Sequence, residues 1–251
     1  MLWGHPQTTG IPTIDYFLSG EELDTADGQQ AYTEQLVRLR GLQTYYHRPQ
    51  RKDPVRDRAY FKLPSTANLY GCPQALFKFH PEFDEVLERI LQSDSAGLLV
   101  VIEGNYRQWT ELLKNRWRDS MPDVFDRIRF LPRMSRNDFL HLTALCDVLL
   151  DPLHFGGGNS SFEAMAAGTP VVTLPSDLLR GRITRAQYKM MDLLECVVDS
   201  KEHYATLANR LGTDADFRQD TSRKIKDAAP SLFENSDSIR AIEEFLESVV
   251  S

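Results

Sequence analysis

The chain has 251 residues, 41% of them hydrophobic and 26% charged, with a formal net charge of −7. Such a composition is ordinary for a soluble globular protein of one large domain, or a domain plus part of another, and its acidic balance does not favour nonspecific nucleic-acid binding. No apolar run approaches the ~18–20 residues that cross a bilayer, and Met1-Leu2-Trp3-Gly4-His5-Pro6 lacks the basic and long apolar regions of a signal peptide, so a cytoplasmic chain without a membrane partner is expected.

In chain order, residues 1–10 read as a loop, and Thr13 to Leu18 is strand-like in its β-branched and aromatic residues. Ala31 to Leu39 is a short amphipathic helix candidate, and Gln43 to Tyr46 another short strand. Residues 47–59, HRPQRKDPVRDRA, hold five basic and two acidic residues with two prolines. They read as a solvated linker or as a basic patch for an anion or partner, the linker being the usual fate of such runs.

From residue 60 strand and helix alternate. Asn68–Gly71, Gly97–Ile102, Arg127–Leu131 and Asp147–Leu150 are expected strands. Glu82–Gln92, Tyr106–Arg118 and Ser135–Leu145 are expected helices. The first carries Phe83, Val86, Leu87, Ile90 and Leu91 at helical spacing, and the third is capped by Ser135. Leu178–Leu194 reads as mostly helical and Cys196–Val198 as a short strand. Helices over 201–211, 214–226 and 236–249 close the chain. Regular alternation of this kind predicts an α/β fold with a doubly wound parallel sheet, its ligand at the carboxyl ends of the strands.

One stretch, DVLLDPLHFGGGNSSFEAMAAGTPVVTL at 147–174, stands out. An apolar run ends at Asp151; three glycines, Asn159-Ser160-Ser161, a helix over 162–167, a Gly168-Thr169-Pro170 break and a second apolar run follow. Strand, Gly-rich turn, helix, turn and strand make a βαβ unit. Glycine allows the backbone a tight turn, and the helix start favours an anion. Gly158, Asn159, Ser160 and Ser161 are thus candidate phosphate ligands, with Lys78 the candidate cation. Glu163, read as lying in the first helical turn, is the candidate partner of a ribose hydroxyl. The spacing is neither G-x-G-x-x-G nor G-x-x-x-x-G-K-[ST], so a plain βα turn stays open beside a nucleotide-diphosphate site, and a dehydrogenase reading is weak. Cys72, Cys146 and Cys196 are far apart, lie in or beside apolar runs and are odd in number, which points to reduced core residues. His80, His141 and His154 have no metal-ligand spacing and do not suggest a metal-dependent transferase; no metal cofactor is expected.

The segment Glu163-Ala-Met-Ala-Ala-Gly168-Thr-Pro170-Val-Val resembles the donor-binding element of GT-B glycosyltransferases. With Trp3-Gly4-His5-Pro6-Gln7-Thr8-Thr9-Gly10, Ile14-Asp15-Tyr16-Phe17-Leu18-Ser19, Tyr32-Thr-Glu-Gln-Leu36 and Cys72-Pro-Gln-Ala-Leu-Phe-Lys78, it is similar to the protein O-linked N-acetylglucosaminyltransferase family that includes the SPINDLY proteins. The resemblance covers nearly the whole chain in the same order. It implies a Rossmann-like donor lobe over 60–251, the linker at 47–59 and, in residues 1–46, the tail of an acceptor-facing lobe. The chain thus looks like the C-terminal portion of a longer, repeat-containing enzyme.

The resemblance further implies that Lys78 engages the diphosphate and supports the leaving group. Backbone of Met134 and side chain of Arg136 would meet the uracil edge. Phe139 falls where some relatives place a stacking histidine, though its spacing equally suits a core residue. His5, Thr8 and Thr9 would line the interlobe cleft, with His5 a sugar or acceptor contact, and Gln74 is a further sugar-side candidate. The implied activity is transfer of a sugar from a UDP donor, N-acetylglucosamine or in the SPINDLY branch fucose, to Ser or Thr of a protein acceptor. The alternative is a truncated, non-catalytic UDP-sugar-binding module, and the isolated chain is expected to bind UDP weakly and transfer poorly.

Overall fold

A computed structural model describes residues 1–250. Five parallel strands form the central sheet: β3 (Asn68–Cys72), β4 (Gly97–Ile102), β5 (Ile128–Leu131), β6 (Val148–Leu150) and β7 (Val171–Val172), in the spatial order β5-β4-β3-β6-β7. Their sequences are short apolar runs because both faces are covered, and side chains alternate between the faces with the pleat. Tyr70, Cys72, Leu99 and Val101 join one large buried cluster; Leu69, Leu98 and Val100 join a second one that holds Phe61, Leu63 and Leu142.

Helix α1 (Pro81–Ser93) packs its Phe83, Val86, Leu87, Ile90 and Leu91 into the first cluster, each at most 2% exposed. Burying each such side chain contributes about 1.5–3 kcal/mol. His80 caps its start by accepting from the Glu82 N–H. Buried Asp84 ties α1 to α2 (Arg107–Ser120), taking Arg116 at 2.9 Å and the Trp117 indole N–H at 2.8 Å. Helix α3 (Arg136–Leu145) starts, as its sequence indicates, on a Ser135 cap that accepts from the Asp138 N–H. The remaining helices are α4 (Asn159–Ala167), α5 (Ile183–Met190), α6 (Lys201–Thr213), α7 (Ala215–Ala228) and α8 (Asp237–Val250).

Several local expectations are corrected. The amphipathic stretch ending at Leu39 is not a helix: only a 3-10 turn at Gly28–Ala31 forms, and Gln35–Leu39 is a strand, β2, paired in parallel with β1 (Tyr16–Gly20). Ladder bonds to β1 outweigh a helical pattern too short to hold itself. Gln43–Tyr46 forms no strand, and Gln43 sits at φ 49, which breaks an extended run. Residues 178–194 are a 3-10 turn followed by the eight-residue α5, and the expected strand at 196–198 reduces to one bridge, Thr173 to Val197.

Residues 1–46 are fastened to the sheet domain. Trp3, Phe17, Leu23, Tyr32 and Leu42 belong to the same buried cluster as β3 and β4, and Arg182 donates to the Leu23 carbonyl at 3.0 Å. Helix α8 returns to this end of the chain, where Phe245 meets the Tyr16 ring edge-on at 5.2 Å. The stretch 47–59 lies along α3: Lys52 exchanges two backbone-to-side-chain bonds with Asn137, and Arg56 and Arg58 pair with Asp138 and Asp147, both at 3.1 Å.

At the centre of β3, Gly71 leaves room for its neighbours: a Cβ there would stand 2.6 Å from both Cys146 Sγ and Leu149 Cδ2. Gly71→Ala is therefore expected to destabilise the fold by about 1–3 kcal/mol in urea unfolding, the range for overpacking a close-packed interior. Unchanged stability would mean that Cys146 and Leu149 can move away from β3 freely.

Candidate functional site

The chain runs outward from β3 through β4 to β5, then returns to place β6 on the other side of β3. The loops leaving β3 and β6 therefore diverge, opening a crevice at the carboxyl ends of these two neighbours, the usual ligand position in such sheets. One loop carries Gln74 and Lys78; the other is Leu153–Gly158, with its three glycines.

Two bonds cross the crevice, and a third ties Lys78 to Gln74 on its own loop. The Lys78 ammonium donates to the Gly156 carbonyl at 2.7 Å and to Gln74 Oε1 at 3.0 Å, while Gln74 Nε2 donates to Ser160 Oγ at 2.7 Å. The ammonium also lies 4.5 Å from the Phe155 ring centre. Burial pushes the Lys78 pKa down, and the negative Asp151 partly restores it.

Asp151 is the residue whose importance sequence reasoning missed. It is 3% exposed, and its carboxylate accepts from the Gly157 N–H at 2.6 Å and from the Thr173 hydroxyl at 2.8 Å. Burial pushes its carboxyl pKa up, against these bonds. The available signal was an aspartate closing an apolar strand just before a Gly-rich turn. The glycines explain themselves here. A Cβ on Gly156 would stand 2.6 Å from Asp151 Oδ2, and one on Gly157 2.3 Å from Ser161 Oγ, whereas Gly158 has open space.

Gly158 is the N-cap of α4 and supplies no side-chain cap. The helix start, with its positive dipole end, faces a cavity of about 600 Å³ lined by Trp3, Gln74, Lys78, Gly156, Asn159 and Ser160. Ser161 turns away: its hydroxyl is buried and bonds Thr184 Oγ1 at 2.8 Å. Because α4 begins at Asn159, Glu163 stands in its second turn, not its first. Glu163 is 8% exposed and receives Arg136 Nε at 3.0 Å; the exposed Arg136 also reaches Tyr46, whose ring stacks on Phe162 at 4.7 Å. Glu163, Arg136, Asn159 and Tyr46 line a larger cavity of about 750 Å³.

Met134 and Phe139 do not share that cavity. They line a smaller one of about 250 Å³ with Gln74, Arg133 and Trp109. The N-terminal loop divides as well: Trp3, Gly4 and Pro6 line the Lys78 cavity, and His5 is exposed. The hydroxyls of Thr8 and Thr9 turn instead to Glu34. Thr8 donates to it at 2.7 Å, the Thr9 N–H at 2.8 Å, and the Thr9 hydroxyl makes a third bond. Of the three histidines that sequence spacing left unconnected, His141 is buried, with Nε2 at the Lys52 carbonyl, but His80 and His154 meet, their rings 4.7 Å apart.

An open parallel sheet with a helix N-terminus and a lysine at its switch point defines a GT-B-type glycosyltransferase domain, the fold of its structural neighbours. The chain belongs to glycosyl transferase family 41, whose profile matches residues 43–238. It is 26% identical over 171 residues, 67% of its length, to a UDP-N-acetylglucosamine--peptide N-acetylglucosaminyltransferase of Caenorhabditis elegans. To the probable SPINDLY enzyme of Hordeum vulgare it is 24% identical, over 89% of the chain. A mutant of the Thermobaculum terrenum O-GlcNAc transferase superposes on 97% of the chain with a TM-score of 0.81 and 25% identity. The lipopolysaccharide glycosyltransferase WaaG, at 17% identity and a TM-score of 0.63, shares the fold. The chain spans 14% and 24% of the two curated relatives and 46% of the solved transferase. Among the described residues no helix is long and apolar enough to cross a membrane.

The Glu34 site generates a pH prediction. Burial opposes its ionisation, yet the bonds from Thr9 and Thr8 together outweigh it and lower the carboxyl from 4.5 to about 2. A depressed folded-state pKa contributes stability above the unfolded value that is lost as pH falls through the folded one. The wild-type chain should therefore lose stability between about pH 4.5 and pH 2 more steeply than Glu34→Gln. Parallel melting-temperature profiles for the two proteins over that range would refute the role given to Thr8 and Thr9.

Proposed function

We propose that this chain is the donor-binding part of an enzyme that transfers N-acetylglucosamine from a UDP donor to a Ser or Thr hydroxyl of a protein. Membership of family 41 and the names of the relatives support the donor and the peptide acceptor. The observation that carries the reading is the Lys78 ammonium, held by Gln74 and Gly156 beside the open N-terminus of α4.

In this reading the diphosphate lies between Lys78 and the backbone of Gly158–Ser160, with the Asn159 and Ser160 side chains beside it. The ribose hydroxyls meet Glu163, and the base lies toward Arg136 in the same cavity, with Met134 and Phe139 lining a separate one. The acceptor oxygen attacks the anomeric carbon, the bond from that carbon to the β-phosphate oxygen breaks, and UDP leaves with the bonding pair. The hydroxyl proton passes to a base or to solvent. Lys78 and the helix dipole stabilise the charge that builds on the departing diphosphate, because both are already oriented and need no rearrangement. In this reading the acceptor approaches from the side of the N-terminal loop, where the His5 side chain is exposed and the Thr8 and Thr9 hydroxyls are held by Glu34.

Lys78→Met keeps the stem and removes the charge. A charge-assisted contact to phosphate is worth about 1.5–3 kcal/mol, so UDP affinity by calorimetry should fall about 10- to 150-fold. Unchanged affinity at unchanged melting temperature would remove Lys78 from the site. A peptide-transfer assay on the same wild-type preparation separates the two scopes of the reading: binding without turnover leaves the chain a UDP-sugar-binding module.

Glu163→Ala should weaken UDP binding while leaving inorganic pyrophosphate binding equal or stronger, since it frees Arg136 to attract anions. Equal losses for both ligands would count against a ribose contact.

A further inference from the structure

Outside the crevice, the fold assembles three metal-ligating side chains that nothing in the transfer reading uses. His80 ends the loop that carries Lys78, Glu82 opens α1, and His154 lies in the loop after β6, two residues before Gly156. One ligand atom from each lies within 4.8 Å of the other two. His154 Nε2 is 3.4 Å from Glu82 Oε2, and His80 Nδ1 3.9 Å from Glu82 Oε1. Donors bonded tetrahedrally to zinc at about 2.0–2.2 Å stand roughly 3.3–3.5 Å apart, so small rotamer changes bring the set into range, with His80 Nδ1 exchanging the Glu82 N–H for the ion.

We propose that His80, Glu82 and His154 form a binding site for a zinc-type divalent cation, which clamps the β3–α1 loop to the Gly-rich loop from the outer side of the crevice. Two imidazoles and one carboxylate suit zinc or a similar late first-row ion rather than calcium or magnesium, which prefer all-oxygen shells. All three residues are exposed, so a water completes the fourth position. Lys201 competes, its ammonium 3.4 Å from Glu82 Oε2 and 3.9 Å from Glu85 Oε2; on metal binding it shifts to Glu85. The site spans the outer ends of the two loops whose inner ends meet at Lys78 and Gly156, so a bound ion would restrain both together.

The test is zinc chloride titrated calorimetrically into the EDTA-treated chain, with hydrogen exchange measured on the same samples. His154 has φ 68, a conformation asparagine tolerates, so His154→Asn removes the imidazole without backbone strain. His80→Ser keeps a capping acceptor for α1. One saturable site is expected per chain, weakened at least about tenfold by either variant, since even lost outer-shell partners cost that much. His203→Ala, which breaks the separate His203–Asp199 pair, should leave it unchanged. Zinc should slow exchange in residues 76–83 and 152–158 together. Absence of a saturable site, retention of full affinity in His154→Asn, or exchange slowed in only one of the two loops would overturn the proposal.

Discussion

The crevice depends on where a single ammonium is placed. Lys78 is partly withdrawn from water, which disfavours its charged form, and its two hydrogen-bond acceptors in the fold are neutral oxygens, Gln74 Oε1 and the Gly156 carbonyl. The compensating negative charge is Asp151, buried beneath the Gly-rich turn. An ammonium held this way keeps attraction to spare for an anion, because neither direct partner neutralises it. The loop from β3 and the loop from β6 are held at a fixed separation by the same contact.

Asp151 in turn decides the shape of the turn above it. Its carboxylate collects the Gly157 N–H and the Thr173 hydroxyl, and its own backbone carbonyl accepts from Tyr204 on α6. Strand β6, the bridge region after β7 and helix α6 thus converge on one residue. Gly156 has no space for a side chain because that carboxylate occupies it, and Gly157 none because the Ser160 and Ser161 hydroxyls do. The turn is glycine-rich from steric exclusion at two of its three glycines, and the third caps α4 with no side chain over the helix start.

Polar chemistry is distributed unevenly around this core. Ser161 is consumed internally by Thr184, and Thr8 and Thr9 by Glu34, so three hydroxyl residues that look ligand-ready in the sequence support the walls of the crevice. Arg136 and Glu163 neutralise each other at 3.0 Å in the lining of the 750 Å³ cavity. A ligand hydroxyl or base entering there exchanges partners with an existing pair rather than meeting an isolated charge.

The sequence by itself determined the parts whose physics is local. Apolar runs bounded by turn residues marked β3 through β6, helical spacing marked α1, and Ser135 marked the start of α3 because a cap needs only the next three residues. The Gly-rich turn, Lys78 and Glu163 were legible as types of residue suited to a nucleotide sugar. Tertiary structure decided what depends on partners distant in the chain. Residues 35–39 became a strand because β1 lay alongside, and Asp151 became a keystone because Gly157 and Thr173 came to it. Met134 and Phe139 fell into a different cavity from Arg136, although all lie within one short segment, since the start of α3 turns their side chains apart. His80 and His154 met because loops from adjacent strands leave the same edge of the sheet. No spacing rule along the chain encodes that encounter; strand order does.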